Sequence, residues 1–255
     1  MIVTLAAMLL SCHPAGRTGS TTPAPATLPN TPMTMEAARD AQERAERTRV
    51  PLPEAWTLSA VHSTAVAPRA MVASNSALAS NAGVEILRAG GTAVDAAVAV
   101  GFALAVTHPE AGNLGGGGYM IIRLAAGRSF ALDYREVAPL AATRNMFLDS
   151  QGRVTDRSQV GHLASGVPGS VEGLTTALAR YGTMPLAKVM APAIRLADSG
   201  FTVDSALARS VEANASRIAP YAGAAVFLPQ GHPIAMGSVF RQPALAATLR
   251  SIAAT

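Results

Sequence analysis

The chain of 255 residues is 49% hydrophobic and 14% charged. A chain of this length and composition can bury a substantial core, which excludes wholesale disorder. Its 20 basic and 16 acidic residues leave a net charge of +4, and the arginines are scattered, so no basic stripe favours nucleic acid. The single cysteine excludes an intramolecular disulfide framework and a cysteine-rich zinc site. The five histidines show no ligand spacing, and we expect no metal, no cofactor and no nucleic-acid partner.

Residues 1–12 are predicted to form a signal segment. The apolar run Ile2–Leu10 has the length of a secretory h-region and is too short to span a bilayer. It leads into Leu9-Leu10-Ser11-Cys12, which resembles the lipobox of bacterial lipoproteins, so Cys12 is a candidate lipidation site. No Lys or Arg precedes the run, and a short leader with a chance cysteine is the alternative. A lipidated Cys12 predicts a membrane tether in the bacterial periplasm or cell envelope.

Residues 13–50 are predicted to form a tether and a charged helix. Five prolines stand among Thr, Ser, Ala and Gly between Pro14 and Pro32, a composition that cannot bury enough apolar surface to offset its ordering entropy. Glu36–Arg49 mixes both signs of charge, with Glu43 and Arg47 at the i,i+4 spacing that supports a solvated helix. The globular part is therefore expected within residues 51–255.

Two helices are predicted early in the globular part. A short strand, Met71–Ala73, precedes a helix whose apolar and small residues recur at helical spacing from Ala79 to Gly90. Thr92 and Asp95 resemble a capping box that opens a second helix, Ala93–Val106. Because that helix is apolar nearly all round, it must be buried.

A hairpin and further helices are predicted after these two. The segments Tyr119–Leu124 and Ser129–Tyr134, separated by a short turn with Gly127, favour two paired strands. Later helices are predicted from Pro168, from Pro185 and over Gln242–Ala254. The stretch from Ser210 to Pro233 gives no clear assignment.

The densest motif is the run Gly112–Gly118, between the buried helix and the hairpin. Glycines there permit positive φ and let backbone N–H groups approach a ligand closely, but they also suit a tight, crowded turn. The run fits neither the dinucleotide fingerprint, which needs a strand before it and a helix after it, nor a Walker loop, which needs a terminal lysine. Both interpretations stay open on this pattern alone.

Arg135 is the candidate substrate-binding residue. It follows the second predicted strand and stands in a loop that ends in Pro139, a rigid place from which a guanidinium could bind a carboxylate with two parallel hydrogen bonds. A structural ion pair with Asp133 or Glu136 is the competing interpretation. The residues alone favour the ion pair.

Several segments together resemble the gamma-glutamyltransferase family, also called gamma-glutamyltranspeptidase or glutathione hydrolase. The resemblance runs from about Arg69 to Thr255 and is specific because the motifs follow one another in the family's order. The segments that carry it are Val72–Ser74 with Ala79-Ser80, Gly83–Ala99, Thr107–Pro109, Gly112–Gly118, Asp133–Pro139 and Ser165–Val171.

The resemblance implies an α/β (α+β) N-terminal-nucleophile hydrolase with a four-layer αββα core, present here only in part. Such enzymes are made as precursors that cleave themselves, and the new N-terminal Thr of the small subunit is the nucleophile. Its α-amino group, with a pKa near neutrality, can serve as general base. The γ-glutamyl group of glutathione would pass to this Thr and then to water or an amino-acid or peptide acceptor. By the same resemblance, Arg135 matches the arginine that binds the α-carboxylate of the donor.

The sequence departs from the family in one respect. A Thr-Thr-His-like run that would begin a small subunit is not found anywhere in it, so no catalytic residue can be assigned. We therefore expect residues 51–255 to be a partial large subunit, which is inactive alone and needs a small subunit from the same precursor. The reading frame past Thr255 would test this expectation.

Two alternatives to γ-glutamyl transfer remain. A cephalosporin-acylase-like amide hydrolase would keep the fold and change the substrate, and Arg135 discriminates against it because an α-carboxylate anchor suits γ-glutamyl donors best. A lipid-tethered binding or scaffold protein without a nucleophile is the alternative from a different class.

Overall fold

A computed structural model describes residues 3–4 and 66–255 of the chain. The predictions for Cys12, the tether and the charged helix fall outside these residues, as does the signal segment apart from Val3 and Thr4. They stay predictions.

The described residues form a layer of helices and two small antiparallel sheets. The helices are α1 (Ala77–Arg88), α2 (Ala93–Thr107), α3 (Ser170–Tyr181), α4 (Leu186–Ser199), α5 (Ser205–Ile218), α6 (Ala224–Phe227) and α7 (Pro243–Ala253). The strands are β1 (Val3–Thr4), β2 (Tyr119–Arg123), β3 (Ser129–Asp133), β4 (Phe201–Thr202) and β5 (Val239–Phe240). One sheet has the order β1-β2-β3, and the other pairs β4 with β5. Within residues 66–255, no helix is both long and apolar enough to cross a membrane.

Helix α2 is the centre of the helical layer, as its apolar sequence predicts. It packs against α1, α3 and α4, and α4 in turn packs against α7. Phe102 and Val98 are completely buried in it, and each such side chain contributes about 1.5–3 kcal/mol of hydrophobic stabilisation. Gly101 lets α3 approach closely, because an ideal Cβ there would lie 2.9 Å from both methyl carbons of Leu174.

The predicted hairpin is present, and its two faces differ. In β2 the side chains of Met120 and Ile122 are completely buried in the helical core, whereas Tyr119 and Ile121 are exposed. Strand β3 pairs with β2 along its whole length. One face of the sheet therefore packs on the helices and the other is open among the described residues.

The strand predicted at Met71–Ala73 is wrong. These residues form no backbone ladder with any described segment. Val72 packs instead against α1, where a side-chain carbon lies 3.0 Å from the position of an ideal Cβ on Gly83. Three consecutive apolar residues fit the pattern of a short strand, but this segment packs against helix α1 and does not pair with a strand.

The stretch that gave no clear assignment contains most of α5. The helix begins after Asp204, whose Oδ1 accepts a hydrogen bond from the N–H of Leu207 at 2.8 Å. Leu207 and Val211 are its buried residues. The N-cap followed by this i,i+4 pair is a signal that the sequence contained.

Asp95 joins the helical layer through one buried carboxylate. It completes the predicted capping box, since Thr92 donates its N–H and its hydroxyl to Oδ2, each at 2.7 Å. From the loop between α3 and α4, Thr183 donates its N–H to Oδ1 and its hydroxyl to Oδ2, and Met184 donates its N–H to Oδ1. Burial alone would raise the pKa of Asp95, but hydrogen bonds to the charged form from the Thr92 hydroxyl and from the backbone N–H groups of Met184, Thr183 and Thr92 lower it below its ordinary value of 3.8.

We predict that Asp95→Asn destabilises the chain by about 2 to 4 kcal/mol. The amide nitrogen of Asn would stand in place of one carboxylate oxygen and could not accept the hydrogen bonds that this oxygen now accepts. The measurement is urea unfolding at pH 7, with Asp198→Asn as the matched control. Asp198 makes an exposed ion pair with Arg250, and losing such a pair costs at most about 1 kcal/mol. Equal losses in both variants would contradict the prediction.

The same carboxylate gives a pH dependence. Because the folded-state pKa of Asp95 lies below its unfolded value of 3.8, its stabilisation is complete above that value and is lost as the pH falls through the lower folded value. The difference in unfolding free energy between wild type and Asp95→Asn should therefore decrease as the pH is lowered from about 5 to about 2. A difference that does not vary with pH would show that the pKa of Asp95 is the same in the folded and unfolded states.

Candidate functional site

Arg135 lies in a backbone segment, Tyr134–Val137, that is fixed at both ends. Tyr134 exchanges two backbone hydrogen bonds with Gly118, at 3.0 and 3.3 Å. Val137 exchanges two with Val167, at 2.8 and 3.3 Å. We call Tyr134–Val137 the site segment.

Glycines from two separate parts of the chain pack closely against the site segment. An ideal Cβ on Gly117 would lie 2.5 Å from the carbonyl oxygen of Tyr134 and 2.6 Å from the amide nitrogen of Glu136. From the second part of the chain, a Cβ on Gly169 would overlap the same carbonyl and one on Gly173 would overlap the Tyr134 ring. Only glycine allows so close an approach.

The two glycine segments are also joined directly. The carbonyl of Gly116 accepts hydrogen bonds from the N–H groups of Gly169 and Ser170, both at 2.9 Å. The run Gly112–Gly118 thus packs against protein backbone at the start of α3. This is the crowded turn, one of the two interpretations that the sequence left open.

The Arg135 side chain projects from this fixed backbone and remains 60% exposed. Its Nε lies 3.2 Å from Oε2 of Glu136, while its backbone N–H donates to Oδ1 of Asp133 at 3.0 Å. Among the described residues, Glu136 is the one carboxylate paired with the guanidinium. The ion pair anticipated from the sequence therefore exists, but it occupies only one edge of the guanidinium.

Tyr134 is half-buried and packs behind the Arg135 backbone. Its ring contacts Gly118, whose ideal Cβ would lie 3.2 Å from a ring carbon. Burial raises the pKa of the Tyr134 phenol above its ordinary value of 10.0, so the ring is neutral at physiological pH. Packing of this neutral ring against Gly118 and Gly173 helps to hold the backbone of the site segment in place.

A second polar cluster lies at the C-terminal end of α2. The hydroxyl of Ser210 donates to Glu110, whose other oxygen lies 3.7 Å from Nδ1 of His108. They line a shallow cavity together with Asp204 and Thr107. In the part of the chain that the structure describes, no group of three His, Cys, Asp or Glu side chains could hold a metal.

Residues 79–255 match the family model described as gamma-glutamyltranspeptidase. The chain is 52% identical over 190 residues to the glutathione hydrolase proenzyme of Escherichia coli (strain K12), covering 73% of this chain and 33% of that protein. It is 43% identical over 213 residues to the acylase ACY 1 proenzyme of Pseudomonas sp. (strain V22), covering 80% and 38%. The crystal structure of the Helicobacter pylori gamma-glutamyltranspeptidase superposes with a TM-score of 0.71 at 43% identity, covering 76% of this chain and 56% of that one.

The chain belongs to the gamma-glutamyltranspeptidase family, a family of enzymes. Its fold is part of the α/β N-terminal-nucleophile hydrolase fold, so the predicted fold class is confirmed. The described residues supply a helical layer and the sheet that packs on it. The chain spans about a third of the length of the curated glutathione hydrolases that it matches.

The sequence placed Arg135 correctly after the second strand of the hairpin, but it did not predict the glycine contacts that fix the backbone around Arg135. Gly169 and Gly173 belong to a different part of the chain, and nothing in the sequence pairs them with Tyr134. The available signal was the run Ser165–Val171, which the family resemblance included without a role. Two of its glycines, Gly166 and Gly169, pack against the site segment.

We predict that Gly173→Ala destabilises the chain. In a helix interior this change normally stabilises by about 0.5–1 kcal/mol, but the new methyl group would overlap the Tyr134 ring. We expect a net loss of about 1–3 kcal/mol, the usual cost of overpacking. Urea unfolding measures it.

The matched control is Gly223→Ala. No described heavy atom lies within 4 Å of its ideal Cβ, so this variant should be as stable as wild type or slightly more stable. A Gly173→Ala variant that gains stability like the control would show that the Tyr134 ring is not held against α3.

Proposed function

We propose that the protein catalyses γ-glutamyl hydrolysis and transfer, with glutathione or another γ-glutamyl compound as donor. Water, an amino acid or a peptide would be the acceptor. The observation that carries this proposal is the exposed guanidinium of Arg135 on a rigid backbone, in a chain 52% identical to a glutathione hydrolase proenzyme. The guanidinium suits the α-carboxylate of a γ-glutamyl donor because it offers two parallel N–H donors.

In this proposal the reaction needs a second part of the same precursor. A small subunit would provide an N-terminal Thr, whose hydroxyl oxygen attacks the γ-carbonyl carbon of the donor. The amide C–N bond breaks, the leaving amine takes a proton, and the γ-glutamyl group remains as an ester on the Thr. Water or an acceptor amine then attacks the ester carbon and restores the hydroxyl. This chain would bind and orient the donor through Arg135.

Amide hydrolysis of a different acyl group is the second candidate, because one relative at 43% identity is an acylase proenzyme. A cephalosporin-acylase-like enzyme removes an acyl side chain that need not carry an α-carboxylate and an α-amino group. A dependence of activity on the α-carboxylate therefore distinguishes the two functions, and Arg135 is the residue through which to test it.

We predict that Arg135→Lys reduces kcat/KM for a γ-glutamyl anilide about 10- to 150-fold, because lysine keeps the charge but loses one charge-assisted hydrogen bond worth roughly 1.5 to 3 kcal/mol. The protein for this test is a precursor in which the chain continues past Thr255 into a small subunit, here called the complete precursor. Self-cleavage, measured by subunit formation on a gel, should be unchanged because it needs no bound donor.

A 4-aminobutyryl anilide, which lacks the α-carboxylate, is the control substrate. Its turnover should differ little between wild type and Arg135→Lys. A variant that processes normally and keeps the wild-type preference for the carboxylated donor would make Arg135 a structural ion-pair residue.

We also propose that Cys12 tethers the protein to the membrane of the bacterial cell envelope. The lipobox-like Leu9-Leu10-Ser11-Cys12 supports this location. One diacylated cysteine adds two acyl chains, and each buried CH₂ group contributes about 0.8 kcal/mol to membrane binding.

We predict that Cys12→Ser moves the protein from the membrane fraction to the soluble envelope fraction, as followed by immunoblotting of fractionated cells. Ser11→Ala is the matched control, because it keeps a small residue before the cysteine and should leave the protein membrane-bound. The tether proposal fails if Cys12→Ser has the same distribution as wild type.

A further inference from the structure

We propose that Asp133, the last residue of β3, is a positioning residue for donor binding. Its Oδ1 atom accepts a hydrogen bond from the backbone N–H of Arg135 at 3.0 Å. This bond fixes the peptide group from which the arginine side chain extends. The inference rests on the proposed γ-glutamyl function and adds a residue to it.

The backbone N–H of Arg135 lies on the side of β3 that faces away from β2. Tyr134 exchanges both of its backbone hydrogen bonds with Gly118, so the N–H groups of the residues before and after Tyr134 point the other way. Among the described residues β3 is the edge strand of its sheet. A ladder partner for this N–H is therefore absent from the described sheet, and the carboxylate of Asp133 takes its place.

The same hydrogen bond acts at the middle of the site segment. The ladder bonds hold Tyr134 at one end and Val137 at the other. Between these ends, the backbones of Arg135 and Glu136 make no further hydrogen bond to any described residue. Without the Asp133 acceptor, the backbone of Arg135 would have no hydrogen bond of its own. The range of directions open to the guanidinium would then widen, and more entropy would be lost when a donor binds.

The contact depends on where the acceptor oxygen lies and not on the charge of Asp133. The guanidinium of Arg135 makes its ion pair with Glu136, and Asp133 makes none with it. Asp and Asn side chains have the length that brings an oxygen to the N–H two residues later in the chain. Glutamate is longer by one CH₂ group, which carries its oxygens past this N–H.

The two possible roles of Asp133 therefore predict opposite orders of variants. If the oxygen position matters, Asp133→Asn retains donor binding although it loses the charge, whereas Asp133→Glu keeps the charge and impairs binding. If the charge matters, the order is reversed. A negative charge near the site also weakens the attraction of Arg135 for the donor's carboxylate, so its removal is no disadvantage to binding.

The first measurement uses the 255-residue chain without any donor. Hydrogen exchange of the Arg135 backbone N–H with solvent is followed by ¹⁵N-edited NMR after backbone assignment. We expect exchange to be several-fold faster in Asp133→Ala and Asp133→Glu than in wild type, and close to wild type in Asp133→Asn, which keeps an acceptor. Equal exchange rates in wild type and Asp133→Ala would overturn the inference.

The second measurement uses the complete precursor. Asp133→Ala and Asp133→Glu should raise KM for the γ-glutamyl anilide and lower kcat/KM about 3- to 10-fold, the effect of one partly solvated hydrogen bond. Asp133→Asn should restore at least about half of the wild-type value, since a factor of two is less than the loss of one such bond. Turnover of the 4-aminobutyryl anilide should change less than about twofold in each variant, because that substrate has no carboxylate for Arg135.

A double-mutant cycle tests whether the effect passes through Arg135. In the Arg135→Lys background, Asp133→Ala should lower kcat/KM by less than about twofold, since the bidentate contact that it positions is already lost. Asp198→Ala is the matched control, because Asp198 makes an exposed ion pair with Arg250 and should leave both substrates unaffected. Subunit formation and melting temperature check that each variant folds.

The outcomes separate the inference from the proposed function. Additive losses in the cycle, or a Asp133→Glu variant more active than Asp133→Asn, overturn the positioning role of Asp133 alone. A wild-type precursor that does not prefer the carboxylated donor overturns the proposed function, and the inference with it.

Discussion

The buried carboxylate of Asp95 connects the N-terminus of α2 to the loop between α3 and α4. It closes the first turn of α2 and at the same time binds two backbone N–H groups of the loop between α3 and α4. Hydrophobic packing alone is non-directional and lets helices slide past one another. Five hydrogen bonds to one carboxylate define how far α2 and this loop can move, and so fix the position of α3.

The position of α3 matters because its first turns form one wall of the site segment. Gly169 and Gly173 contact Tyr134, and the carbonyl of Gly116 accepts hydrogen bonds from the N–H groups of Gly169 and Ser170 at the N-terminus of α3. The backbone of Arg135 is thus held between two glycine segments, while its guanidinium projects into the open. A rigid backbone with an exposed charged group is suited to binding a ligand, since little order must be created on binding.

Elements whose pattern is local were predicted well from the sequence. The capping box of Thr92 and Asp95, the apolar α2 and the β2–β3 hairpin all follow from residue type and spacing within one element. The strand predicted at Met71–Ala73 failed because three apolar residues do not specify whether a strand or a helix covers them. The pairing of β4 with β5 joins two-residue segments that are far apart in the chain, and no local pattern encodes it.

The sequence by itself determined which chemical groups were available: a glycine run, an arginine at the end of a strand and an acidic residue on each side of it. It could not decide whether the glycine run faced a ligand or the protein, or whether the arginine was consumed by an ion pair. Tertiary structure places the glycine run against protein backbone, and that contact depends on Gly169 and Gly173, which reach Tyr134 only after α3 has packed. It also divided the two neighbouring acids, giving the backbone N–H of Arg135 to Asp133 and the Nε edge to Glu136. Contacts between distant segments set these distances, and residue order alone does not contain them.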